Sequence, residues 1–297
     1  MNMYAQISSN KLKTYLIIAL FIGLLSVAFY AIGKYFGNPQ LYFLLGFGFS
    51  LVSSFGSYFY SDKIVLSMTG AKPASKEAYF DFYTVTENLC IAAGIPMPKL
   101  YVIQDEAPNA FATGRDPKHA AVVATTGLLQ RLERSEIEGV IGHELSHVQN
   151  YDILVMGIVG VLVGTLVFVS DFIMRSMFWG RGGDDDNRNG NVISGVVFIA
   201  FLIILPILAS LIQMAVSRRR EFLADASGAL LTRNPDALAD ALEKISADPH
   251  KLRTASHATA HLFISNPLNK TKTRDILLKL FSTHPPIEER VRILRSM

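Results

Sequence analysis

Two histidines four residues apart, His143 and His147, enclose a glutamate in the run His143-Glu144-Leu145-Ser146-His147. On an α-helix, residues four apart sit about 40° apart around the axis, one turn along it. Two imidazoles placed this way can reach a single metal ion. Glu144 projects nearby but off the line of the pair. It can therefore hold and deprotonate a water instead of ligating the ion, which is the chemistry of metal-assisted hydrolysis. Two surface histidines with no such role would leave the same five residues.

A catalytic zinc site takes three protein ligands and keeps a fourth position open. Acidic residues upstream of His143 lie in loops or near strands. The stronger candidate is Glu221, in the helical stretch RRREFLADASGALL, with Asp225 one turn further on the same face. Glu221 could ligate the ion. Asp225 could accept the free ring proton of a ligand histidine, which fixes its tautomer and ring angle. An ordinary acidic helix face beside Arg218, Arg219 and Arg220 is the other reading of these residues. His257 and His261 are also four apart, but no glutamate follows His257, so the water-activating group is missing. His119 and His250 read as loop residues. The one cysteine, Cys90, excludes an internal disulfide and any multi-cysteine zinc site.

These side chains need elements to carry them. Ser135 and Glu138 have the spacing of a capping box at the start of the histidine helix. On that helix Ile137, Ile141, Leu145 and Val148 form one apolar stripe for the core, and the histidines fall on another face. Residues 75–93 read as an amphipathic helix, and 100–103 and 120–125 as short strands. The histidine helix ends near Asn150, and an apolar run begins at Ile153.

That run is one of four. The chain has 297 residues, 50% of them hydrophobic, with a mean hydropathy of +0.31. Uncharged, mostly apolar stretches fill 14–33, 35–61, 153–170 and 192–216, each as long as the roughly 18 residues that suggest a membrane helix. They form two hairpins. The first turns at Gly37-Asn38-Pro39, and the second through the polar stretch WGRGGDDDNRNGN. The resulting organisation is an N-terminal transmembrane hairpin (1–61), a first catalytic segment (62–152), a second hairpin (153–216) and a second catalytic segment (217–297). The fold class expected is an α-helical membrane protein with an α+β zincin-like cytosolic catalytic domain and four transmembrane helices in two hairpins. Lys11, Lys13 and Arg218 to Arg220 flank span ends and place both termini and both polar segments in the cytosol. The net charge of +3 is spread, without the patch that nucleic-acid binding requires. A metal transporter would carry its ligands within its spans. Here His143, Glu144, His147 and Glu221 all lie outside the apolar runs. A scaffold with a structural zinc would leave Glu144 without a purpose.

The pair HELSH and EFLADA resembles the gluzincin pattern, in which a glutamate on a second helix completes the metal site. With PNAFATG at 108–114, RRREFLADA, HLFISNPL and STHPPIEERVRIL, the chain is similar to the HtpX-type membrane metalloproteases, relatives of the CAAX prenyl proteases. The resemblance covers most of the chain. It implies a zinc-dependent endopeptidase of the bacterial inner membrane with one Zn2+ per chain and a cytosolic active site. Its substrates would be proteins or peptides, chiefly membrane proteins under quality control. Glu144 would be the base and His143, His147 and Glu221 the ligands. Asn109, Ala110 and Phe111 resemble the edge-strand segment that pairs an extended substrate; a plain turn after Pro108 accounts for the same residues. His261 would line the cleft. His284, held at a helix entrance by Pro285 and Pro286, would stabilise the oxyanion. From the residues alone, a loop histidine packed on Tyr or Phe fits there better.

Overall fold

The computed structural model describes residues 3–35, 37–179, 218–253, 255–256, 258–265, 267 and 285–297. It opens on two long helices, α1 (Met3–Tyr35) and α2 (Pro39–Met68). Between them Gly37 takes a φ of +81°, which costs glycine little. Asn38 then caps α2, its side chain accepting from the Leu41 N–H at 3.2 Å, and Pro39 stands in the first turn, where its missing N–H costs nothing. The segments Ala5–Lys34 and Pro39–Met68 reach mean hydropathies of 2.5 and 1.3, and both are long and apolar enough to cross a membrane. Their outward faces carry exposed Leu16, Leu44, Val52 and Phe55.

A four-stranded sheet follows, with β1 (Lys72–Pro73), β2 (Lys99–Ile103), β3 (Ala110–Gly114) and β4 (Ala120–Thr125) in the order β1-β2-β4-β3. β2 and β4 run parallel, with Lys99 opposite Ala121. β3 lies antiparallel to β4, with Ala110 opposite Ala124, and forms one edge of the sheet. Gly114 permits the return to β4, since a Cβ there would lie 2.2 Å from the His119 carbonyl oxygen.

Helices α3 (Phe80–Ala93), α4 (Thr126–Arg131), α5 (Arg134–Gln149), α7 (Arg218–Thr232), α8 (Pro235–Ala247) and α9 (Ile287–Leu294) surround the sheet. The expected apolar stripe of α5, Ile137, Ile141, Leu145 and Val148, is buried in the main core. That core also takes Val122 from the sheet and Leu238 and Leu242 from α8. After Gln149 the chain turns at Tyr151, a non-glycine residue with a φ of +60°. It re-enters a helix as α6 (Asp152–Trp179) at 84° to α5. Residues of α6 pack on Ile17, Phe21 and Leu25 of α1 in a second apolar cluster.

Two boundary expectations are corrected. The histidine helix starts at Arg134 after the N-cap Glu133, and its capping box uses Glu136 rather than Ser135 with Glu138. Glu136 accepts the Glu133 N–H at 2.8 Å and is fixed from outside by Lys244 at 2.7 Å. The three-residue spacing is kept, two positions earlier. The helix expected over 75–93 begins at Phe80, because the Ser75 hydroxyl accepts the Ala78 N–H at 3.2 Å and spends that stretch in a turn. The fourth apolar run, the polar loop after Trp179, His257 and His284 lie outside the described residues.

Candidate metal centre

Backbone contact brings the two halves of the site together. A Cβ on Gly228 of α7 would lie 2.8 Å from the backbone nitrogen of His143, so α5 and α7 touch there main chain to main chain. That close approach sets Glu221 and Asp225 against the histidine face of α5. His143, Glu144, His147, Glu221 and Asp225 are all buried, at 1 to 4% exposure.

The two Nε2 atoms, of His143 and His147, face each other at 3.2 Å. Glu221 reaches both, with Oε2 at 3.9 Å from His143 Nε2 and Oε1 at 3.6 Å from His147 Nε2. Among the described residues, His143, His147 and Glu221 are the group that could hold a metal, with ligand atoms within 4.8 Å of one another. Two nitrogens bound to a tetrahedral zinc at about 2.0–2.1 Å would stand about 3.3 Å apart, so the residues fit such an ion.

The far nitrogens are equally committed. His143 Nδ1 lies 2.9 Å from Asp225 Oδ1, and His147 Nδ1 lies 3.0 Å from Asp152 Oδ2. A carboxylate behind each ring holds the proton on Nδ1 and leaves the Nε2 lone pair for the ion. The contact of Asp225 with His143 is one that the sequence anticipated. Burial lowers the His143 imidazole despite Asp225. Burial also opposes charge on His147, but Asp152, Glu221 and Glu144 outweigh it and raise the group to about 9 in the metal-free site. A cluster this anionic favours a cation.

Glu144 stands apart from the ligand set. Its Oε1 is buried with no hydrogen-bond partner. Burial pushes its carboxyl up to about 7, against the pull of neighbouring His147. A buried carboxyl with an unused oxygen and an affinity for protons near neutrality is suited to take up and return a proton.

Sequence reasoning missed Asp152 and Arg290. Asp152 reads as the polar edge of an apolar run, and only the turn at Tyr151 aims it back at His147. Arg290, in α9, is fully buried and grips Asp225 with Nε at 2.8 Å and Nη2 at 2.7 Å. Its Nη1 donates to the Ile264 carbonyl at 3.0 Å. Against burial, which pushes the other way, Arg290 and His143 hold the Asp225 carboxyl at about 2. An arginine flanked by two glutamates in STHPPIEERVRIL looks like any solvated helix face.

The other expected residues are placed as follows. Ala110 and Phe111 open the edge strand β3, and Asn109 stands just before it. The Asn109 side chain donates to the Ser265 carbonyl at 2.8 Å, and the Ala110 carbonyl accepts from the Ile264 N–H at 2.9 Å. Phe111 is buried edge-on against Phe263, with ring centroids 4.9 Å apart. His261, on the short turn Ala260–Leu262, lies 3.0 Å from the Met156 carbonyl of α6 and so is anchored to that helix. It does not enter the group of His143, His147 and Glu221.

A helix bearing two histidines and a glutamate, a second glutamate from another helix, and two apolar helices ahead of them define a membrane-associated metalloprotease. The chain belongs to peptidase family M48, whose sequence profile matches residues 81–297. It is 44% identical to the "Protease HtpX homolog" of Thermoanaerobacter pseudethanolicus, over 99% of this chain and 98% of that protein. It is 46% identical to the protein of the same description from Tropheryma whipplei, with the same coverages. Among solved structures, Ste24p of S. mikatae aligns with a TM-score of 0.48 at 20% identity, over 98% of this chain and 67% of that one.

Proposed function

We propose that this chain is a zinc-dependent endopeptidase that cuts membrane or misfolded proteins at the cytosolic surface of the bacterial inner membrane, in membrane-protein quality control. The observation that carries the reading is the convergence of His143, His147 and Glu221 beside Glu144, whose buried Oε1 has no hydrogen-bond partner. His143, His147 and Glu221 would hold the ion. When bound, zinc polarises the scissile carbonyl and lowers the pKa of water. Glu144 takes the water proton as the water oxygen bonds to the carbonyl carbon. It returns that proton to the amide nitrogen as the carbon–nitrogen bond breaks. Asp225 and Asp152 keep both rings in the ligating tautomer. The edge strand at Asn109, Ala110 and Phe111 would align an extended substrate, with His261 bordering the cleft. His284 would donate to the oxyanion.

The ligand set is tested by metal content. Glu221→Ala should nearly lose its zinc, while Asp225→Ala should cost roughly 10–100-fold in affinity, since it removes only the support of a ligand. Full zinc affinity in Glu221→Ala would move the third ligand elsewhere.

The placement in the membrane carries the rest of the reading: four spans in two hairpins, with the catalytic unit assembled from 62–152 and 217–297. An even number of crossings returns Glu221 to the side of His143. In a Cys90→Ser background, Gly183→Cys should react with a membrane-impermeant thiol reagent added outside the cell, and Arg219→Cys should not. The reverse labelling would put the site on the outer face.

A further inference from the structure

We propose that Asn10, on the first membrane helix, is a positioning residue of the metal centre, so that the centre is complete only when α1 is docked. The inference rests on reading His147 as a metal ligand. Asn10 is 3% exposed, although it lies among exposed neighbours on a helix with the composition of a membrane span. Its Nδ2 donates to the Asn150 carbonyl at 2.9 Å and to Asp152 Oδ1 at 2.8 Å. Both partners lie about 140 residues away in sequence. Asp152 divides its two oxygens. Oδ2 holds His147 Nδ1 at 3.0 Å, and Oδ1 receives Asn10 together with Arg220 Nη1 at 3.2 Å. Asn10 therefore reaches the metal ligand through one carboxylate.

The amide suits this place for a chemical reason. Its two N–H groups meet two acceptors, and its own oxygen faces the Arg220 guanidinium at 3.5 Å. An aspartate of the same shape would set a carboxylate against both a carbonyl and a carboxylate. The contact also lies on the corner where α5 gives way to α6. Lys11, the next residue of α1, places its ammonium 5.0 Å from the centroid of the Tyr151 ring. Further along, Ile17, Phe21 and Leu25 pack on Leu154, Ile158 and Leu162 of α6. Hydrophobic packing seats the helix, and Asn10 converts that seating into a fixed Asp152. Without Asn10, Asp152 keeps Arg220 on Oδ1 but loses its second donor there, and the His147 ring is left with a less firmly fixed acceptor.

The test uses the full chain in detergent. Zinc affinity is measured by chelator competition, and the visible spectrum of the cobalt-loaded protein reports the ligand field. Asn10→Ala should bind zinc roughly 10–100-fold more weakly and shift the cobalt bands, with the unfolding midpoint of the metal-free protein unchanged. Leu12→Ala, two residues on and 60% exposed, should match wild type. If Asn10→Ala fails to insert, Asn10→Leu, an apolar side chain of similar size that also removes both donors, takes its place and must show the same loss. Wild-type zinc affinity with an unchanged cobalt spectrum in whichever variant inserts overturns the role of Asn10. A wild-type chain that holds no metal overturns the reading of the site itself.

Discussion

Glu144→Gln is expected to hold its metal as tightly as the wild type and to lose hydrolysis by about 10²–10⁴-fold, the range that a positioned general base contributes. The substitution keeps the shape of the side chain and removes its capacity for a proton. The ligand atoms belong to other residues, so metal binding has no reason to fall. The unpartnered Oε1 makes this separation clean, because no neighbouring donor depends on it. Zinc content and hydrolysis of an unfolded protein such as casein are the two measurements. A Gln variant that turns over like wild type would remove Glu144 from the reaction, and one that loses its zinc would make it a ligand.

Arg290→Met should destabilise the metal-free protein by about 3–5 kcal/mol, the cost of leaving one partner of a buried ion pair uncompensated. Arg290 has no exposed surface, and both of its bonds to Asp225 are short. Removing it strands a carboxylate whose protonation is already held near 2. The double variant Arg290→Met with Asp225→Leu should recover most of that stability, since a buried pair replaced by apolar groups of similar size is often neutral. It should still bind metal poorly, because His143 has lost the acceptor of its Nδ1 proton. Denaturant midpoints and zinc competition on the two variants separate the effects. If the single variant unfolds at the wild-type midpoint, the pair carries no weight in the fold.

The candidate cluster of His143, His147 and Glu221 was legible in the sequence because helical spacing is local. His143, Glu144 and His147 share one helix, and Glu221 and Asp225 share another. Each pair's geometry follows from the helix itself. The N-terminal apolar helices and the strands at β2 and β4 were legible for the same reason. What stayed hidden depends on the chain turning back. Asp152 works because Tyr151 takes a left-handed conformation, Arg290 because α9 packs into the core, and Asn10 because α1 lies along α6. The helix starts at Arg134 and Phe80 were misplaced because competing polar side chains can cap at several neighbouring positions. Only tertiary partners such as Lys244 choose among them.

The buried arginines have one more consequence. Around the site Glu144, Asp152, Glu221 and Asp225 stand against Arg220 and Arg290, all of them buried or nearly so. With both imidazoles neutral, as ligation requires, and all four carboxylates ionised, the two guanidiniums leave an excess of two negative charges where little water reaches. Uncompensated charge in such a place costs several kcal/mol per ion. A doubly charged cation restores electroneutrality, whereas a singly charged one leaves half the deficit. A centre so charged would select its occupant by valence before donor chemistry or coordination geometry enters, and the ion would be the counterion around which helices from both ends of the chain can close.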